Sequence, residues 1–424
     1  MAWLNKYSSN PFVRNVAVMF SGNGLALIVP FLFAPLITRL YTPAEFATLE
    51  LFMKILTPLI IVGSFRFDLA LLLDNEEDEA KNLLVLCFRI LIIACLIACV
   101  IAFFQTEVSV FFNNEGLSTV LWLLPIALLF AGSYSILIRL AIRLKKFNLL
   151  AMNNIISTGG NHFSKYIFGL IGTGYLGLVL GQILGSFISV IGVFSNRTMR
   201  NWIGTKRKVT MPFGMLMRKY KEFPLYNGSH ALYDELYAIV LFSVISIYYG
   251  EVELGLFGFA FRYLRIPVQV LGTSFAPVVT PRITELIGNK KPVRDLILKS
   301  ELLFLAAGIV PFTILFFFGG EIFGFVFGDN WVKAGVYAGI LAPWLLLNFA
   351  VSPVSILPTL INKQASFFII NLVMKLLVLV GIFYTATNEY DIQSTLILVS
   401  GVNFMLNLIL LIWFLRIADS KIDS

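Results

Sequence analysis

Apolar runs of about twenty residues, broken by almost no charge, decide what this chain can become. The stretch "LCFRILIIACLIACVIAFF", residues 86–104, holds a single charged side chain. A helix of that length reaches about 30 Å, the thickness of a bilayer's hydrocarbon core. Twelve such windows recur, at about 15–38, 46–66, 83–104, 117–138, 148–171 and 174–195, then 223–249, 253–280, 300–326, 335–357, 365–386 and 392–415. At 58% apolar and 13% charged residues, the chain exceeds the apolar share of soluble domains, about 45–50%. Barrel strands would instead alternate over segments of about ten residues. The expected fold is an all-α integral membrane protein of about twelve helices, in two six-helix lobes enclosing a central cavity.

The loops set the expected orientation. With the N-terminus inside, about 24 Lys and Arg fall on the cytoplasmic side, against Arg39 and Lys333 outside, as basic residues distribute in membrane proteins. Both termini are therefore expected in the cytoplasm. The net charge of +8 then reflects this bias and contact with anionic lipids, not nucleic-acid binding. The basic interval 201–222 divides a lobe at 1–200 from a lobe at 223–424, a layout compatible with two bundles in the same orientation. Outward loops such as "GTGYLG", "YGEVE" and "GDNWVK" are too short for a soluble catalytic domain, so no enzyme is expected. The opening "MAWLNKYSSNPFVRN" lacks the cleavage pattern of a signal peptide. Cys87, Cys95 and Cys99 share one apolar stretch and suggest neither a disulfide framework nor a metal site. No HExxH, Walker-type loop or GxGxxG in a βαβ context occurs, which argues against metal hydrolysis and ATP-driven transport.

Charges left inside the windows carry the functional signal. Lys54, Arg89, Lys165, Arg262, Arg265 and Lys375 are basic, and Glu50, Asp234 and Glu235 acidic, with Asp68 near a helix end. Glu50 and Lys54 are one helical turn apart and can pair, and Arg89 is near enough to its helix end to snorkel. Arg265 lies about 18 Å along its helix from Glu253, too deep for that escape. Arg262 shares its face. Such guanidinium groups must face a bundle interior or a wet cavity, to satisfy buried carboxylates or to receive an anion. Lys165 and Lys375 join that cavity if they point the same way. Arginine's planar fork suits phosphate oxygens. Gly177, Gly181 and Gly185, spaced by four, read as a close helix-packing face.

The sequence resembles a transporter family at this point. "TRLYTP" at 38–43 and "FRFDLA" at 65–70 are similar to the turns around the second helix of Wzx-type oligosaccharide flippases. "FRYLRIPVQVLGTSFAPVVTPRITE" at 261–285 is similar to their eighth helix. That family is the polysaccharide branch of the multidrug/oligosaccharidyl-lipid/polysaccharide exporter superfamily. The resemblance implies a polyprenyl-diphosphate-linked glycan as cargo, such as an O-antigen repeat unit, in the bacterial inner membrane. It implies no cofactor beyond a coupling proton or sodium ion, and a monomer among membrane lipids and other polysaccharide-assembly proteins. Arg262, Arg265, Arg39, Arg66, Lys165 and Lys375 are then the candidate cargo-binding residues. Asp68, Asp234 and Glu235 are the ion-coupling candidates, with pairing to a neighbouring base an equal reading for each. The first half departs from the pattern in its scarcity of buried acids. A multidrug exporter of the same superfamily, a membrane-embedded polymerase and a non-catalytic scaffold stay open as alternatives. The surplus of buried bases disfavours the first, the tiny loops the second, and mid-membrane arginines the third.

Overall fold

The computed structural model describes residues 26, 28–73, 76–205, 212–289 and 291–419, and within these not the side chains of 269–274, 276–278 and 419. Most of the first expected window, the basic residues Lys206, Arg207, Lys208, Lys290 and Lys421, and the start of the acidic run at 74–79 lie outside the described residues. Backbone polar groups have no water partner in hydrocarbon, so each crossing must satisfy them within its own segment. The described residues are accordingly helical, with no strand among them.

Among the described residues a helix falls in each of the twelve windows: α1 (Ile28–Ile37), α2 (Pro43–Val62), α3 (Glu77–Phe103), α4 (Leu124–Arg143), α5 (Phe147–Ile171), α6 (Tyr175–Ser195), α7 (Ser229–Tyr249), α8 (Glu251–Gly288), α9 (Arg294–Phe327), α10 (Val332–Val351), α11 (Gln364–Thr387) and α12 (Ile392–Asp419). Eight segments among the described residues, containing α3, α4, α6, α7 and α9 to α12, are long and apolar enough to cross a membrane by length and composition alone. The chain is a multi-pass membrane protein. Local chemistry sets the boundaries. Thr42 and Glu45 form a reciprocal capping box with Pro43 opening α2. The fourth window, expected at 117–138, is interrupted after the short helix Glu115–Leu121, and Pro125 in the first turn restarts it as α4. Polar ends extend α8 and α9 beyond their expected windows, Arg282 bonding Glu285 at 2.6 Å across one turn of α8.

Packing divides the chain into Met1–Ser243 and Val244–Ser424. This division falls inside α7, beyond the basic interval expected to separate the lobes. The reason lies in what α7 touches. Phe242 receives the ammonium of Lys54 on α2 at 4.3 Å, whereas the Tyr249 hydroxyl bonds Thr395 of α12 at 2.6 Å.

Small residues let helices approach closely in each unit, as membrane packing requires. In the first, a methyl group at Gly185 would lie 2.7 Å from Asn161 of α5, so the glycine stripe on α6 is the close-packing face its spacing suggests. In the second, Gly319 of α9 and Gly335 of α10 meet backbone to backbone. The core of the second unit gathers Ile297, Phe304, Val351, Val354, Met374 and Phe414 from α9, α10, the turn after it, α11 and α12.

Candidate functional site

A helix that buries one side and carries arginines on the other fixes where those arginines can go. Tyr263, Leu264 and Ile266 of α8 are buried, while Arg262 is half-buried and Arg265 exposed. The two bases therefore share the accessible side of α8, as their spacing suggests. Arg265 lies about 21 Å along the helix from its first residue. Its guanidinium stacks over Phe261 at 5.2 Å, a cation–π contact that steadies the fork without consuming its hydrogen-bond donors. Phe261 is itself stacked on Phe257 at 5.5 Å and leans on Trp344 of α10 at 5.8 Å.

The other expected cations are placed differently. Lys165 of α5 is buried, at 3% exposure, and its ammonium donates to Gln182 Oε1 on α6 at 3.2 Å. Asn161 donates to the same oxygen at 2.9 Å. Tyr134 of α4 bonds Asn154 at 2.7 Å, and Asn153 bonds the Ser189 carbonyl at 2.9 Å. The first unit thus contains a polar seam through α4, α5 and α6 with one cation in it. Lys375 is half-buried on the flank of α11, beside buried Met374 and Val378. Arg39 is exposed in the turn after α1. Arg66 occupies a left-handed backbone position, φ 61°, with its Nε buried and without a hydrogen-bond partner. Arg39 and Arg66 belong to turns.

Those turns show why the two quoted motifs look as they do. Thr38 and Tyr41 are buried at 3% and 2%, and the Tyr41 hydroxyl donates to the Lys165 carbonyl at 2.7 Å. Burial pushes the Tyr41 phenol up to about 12. Asp68 is wholly buried, accepts from Ser64 Oγ at 2.7 Å, and pairs with Arg139 Nε at 3.3 Å. Of the two readings weighed for Asp68, this geometry favours the structural pair. Asp234 is half-exposed and 3.7 Å from His230, one turn away; Glu235 is half-buried beside it.

Sequence reasoning missed a polar clamp at the ends of α3 and α4. Arg143 donates to the carbonyls of Leu71 and Leu73 at 3.2 and 2.8 Å and pairs with Glu77 at 3.3 Å. Glu77 also accepts from Trp202 at 2.6 Å, and Glu79 accepts from Lys219 at 2.5 Å and Tyr220 at 3.0 Å. That bond raises the Lys219 ammonium above the ordinary lysine range. Arg89, expected to snorkel, is exposed and lies over Phe213 at 4.0 Å. A second omission is Glu301 of α9, buried at 3% with Oε1 lacking a hydrogen-bond partner. An acid interrupting "LKSELLFLAAG" was the available signal. A cavity of about 1040 Å³ opens among α9, α10 and α12, lined by Phe316, Phe325, Val332, Ile397 and Phe404 with Glu321 and Asp329. None of the expected cations lines it.

Comparison with known proteins places this architecture. The inward-closed structure of the lipid II flippase MurJ is similar at 13% identity and a TM-score of 0.73, covering 94% of this chain and 87% of that one. An inward-facing multidrug resistance MATE family transporter of the MOP superfamily has 13% identity and a TM-score of 0.67, covering 94% and 98%. A MOP superfamily transporter from Pyrococcus furiosus has 10% identity and a TM-score of 0.53, covering 97% and 95%. At these identities the likeness establishes the fold, that of MOP superfamily transporters. No curated protein matches the sequence. The polysaccharide biosynthesis protein model matches residues 36–335, well over half of the chain, and the protein belongs to that family.

Proposed function

We propose that the protein is a flippase that carries a polyprenyl-diphosphate-linked oligosaccharide from the cytoplasmic to the periplasmic leaflet of the inner membrane, opening alternately to either side. The observation that carries this reading is the Arg262–Arg265 pair on the accessible side of α8, far along a membrane helix. Arginines held there at a desolvation cost of several kcal/mol are explained by a cargo that brings its own anion. A diphosphate offers oxygens to two guanidinium forks. The stack of Phe257 and Phe261 beneath Arg265 orients one fork in advance. Membership of a polysaccharide biosynthesis family supports the cargo class, and the MurJ-like fold supports a lipid-linked substrate. The positive-inside distribution supports cytoplasmic termini. A multidrug exporter would share the fold without needing the arginine pair.

The test is translocation of a fluorescent polyprenyl-diphosphate oligosaccharide in proteoliposomes. Arg262→Ala/Arg265→Ala is compared with the native chain at matched yield and helicity. The expected result is loss of at least about tenfold in flux, as removal of two charge-assisted contacts predicts. Native-level flux in the double variant moves the anion site off α8. A native chain that moves none of several lipid-linked glycans removes the flippase reading in favour of drug export.

A further inference from the structure

A buried acid of α9 stands apart from every described ion pair. Glu301 is 3% exposed and enters no described salt bridge or hydrogen bond. It lies seven residues into α9, between Ile297 and Phe304, which are one turn away on either side and belong to the core of the second unit. Phe304 packs on Phe349 of α10 at 5.9 Å and on Phe275 of α8 at 4.6 Å. Glu301, one turn before Phe304 on α9, is therefore level with the place where the antiparallel α10 breaks. There α10 ends at Val351 and the chain tightens into the turn Ser352–Val354. Pro353 has no N–H, so the carbonyl of Phe349 loses its helical donor, and Pro358 does the same for Val354. A buried carboxyl opposite a broken helix with freed carbonyls is the arrangement in which membrane proteins hold small cations.

The surroundings decide which cation. Charged groups on the elements packed about Glu301 are Glu251, Glu253, Arg262, Arg265, Arg282 and Glu285 of α8, Lys333 of α10, Lys375 of α11, Arg416 of α12, and Arg294, Asp295, Lys299 and Glu321 of α9 itself. Arg282 and Glu285 bond each other, Lys333 bonds Glu253, and none of the set pairs with Glu301. An ionised carboxylate without a partner among Ile297 and Phe304 would bear a large desolvation cost. A proton removes that cost with no further ligands, whereas a sodium ion needs several oxygens around it.

We infer that Glu301 is a proton-binding site, and that its proton is the one exchanged during cargo movement. The coupling half of this inference rests on the flippase reading; the proton site does not. The acid takes its proton when the α10 break is exposed to one side of the membrane and releases it when the site opens to the other. Asp68, already paired with Arg139, is then left to structure.

The experiment has two arms on the full-length chain. Infrared difference spectra in nanodiscs, across a pH titration, should show the carbonyl stretch of a protonated carboxylic acid that bleaches as pH rises. The band should be absent in Glu301→Gln, shifted but present in Glu301→Asp, and unchanged when potassium replaces sodium. No such band, a band insensitive to pH, or one removed by sodium overturns the proton site. In proteoliposomes, a one-unit pH gradient coupled to one proton per cargo biases the cargo distribution about tenfold. Glu301→Gln should abolish that bias while retaining gradient-free equilibration, and Glu301→Asp should keep part of it. Full bias in Glu301→Gln overturns the coupling. A native chain that moves no lipid-linked glycan yet shows the titrating band refutes the flippase reading and the coupling, and leaves the proton site standing.

Discussion

Removing Arg139 should damage the first unit far more than neutralising its partner. Asp68 is fully buried while the Arg139 side chain keeps 28% of its surface accessible. Arg139→Gln leaves a buried carboxylate with only the Ser64 hydroxyl at 2.7 Å. Breaking one side of a buried pair costs about 3–5 kcal/mol, and the partial exposure of Arg139 lowers the expectation to about 2–3 kcal/mol. Asp68→Asn strands an arginine that water or a headgroup can reach, at about 1 kcal/mol. The double variant should cost little more than Asp68→Asn, a coupling energy of about 2–3 kcal/mol. Reversible unfolding in mixed micelles, read by helical circular dichroism, measures all four corners of the cycle. Costs that simply add, to within about 0.5 kcal/mol, would refute the view that Asp68 depends on Arg139. So would Asp68→Asn proving the worse single change.

Two further outcomes follow from the geometry. Gly335→Ala forces a methyl group into the backbone of Gly319 and should sharply reduce the yield of folded protein, whereas Gly159→Ala, with nothing within 4 Å of the added atom, should leave the yield unchanged in the same size-exclusion assay. The Glu79 bond raises the Lys219 ammonium in the folded protein, so its contribution is complete below the ordinary lysine value, about 10.4, and fades only as pH climbs through the raised one. Hydrogen exchange across Phe213–Gly228, corrected for its intrinsic rate, should then stay flat from about pH 7 to about pH 10 and quicken in Glu79→Gln. Loosening near neutral pH would contradict this tether.

Crossings were legible because bilayer thickness imposes a length that no side-chain detail can change. Even α5, with "NNIISTGGNHFSK" along it, falls where a hydrophobic window places it. It tolerates those groups because its amides find partners on α6, as Asn153 does at Ser189 and Asn161 at Gln182. The division between units was not legible from composition. A basic interval marks where loops avoid translocation, whereas the packing boundary depends on which neighbours α7 meets, and Phe242 and Tyr249 meet different ones. Glycine spacing announced the α6 face, but Gly319 and Gly335 lie on different helices, and nothing in either helix alone says that they touch.

Charge shows the same limit more sharply. A sequence states that a charge is present and how deep it lies, but not what it faces. Arg262 and Arg265 were readable because depth rules out snorkelling and a spacing of three fixes a common side. Lys54 and Arg89 read from the sequence as a paired and a snorkelling cation, and each also lies over a ring, that of Phe242 and that of Phe213. Aromatic faces compete with both, and an apolar-rich chain of 40 phenylalanines offers many of them. Glu301 escaped attention for the opposite reason. Seven residues from a helix start, with Arg294, Asp295 and Lys299 just before it, an acid reads as part of a solvated end. Yet the helical turn carries it to the side of Ile297 and Phe304 rather than that of exposed Lys299. Sequence depth therefore fixes the place of a charge only when it lies far from both ends. Nearer an end, the angular position around the helix decides, and there a carboxyl is 3% exposed where the linear order implies a surface.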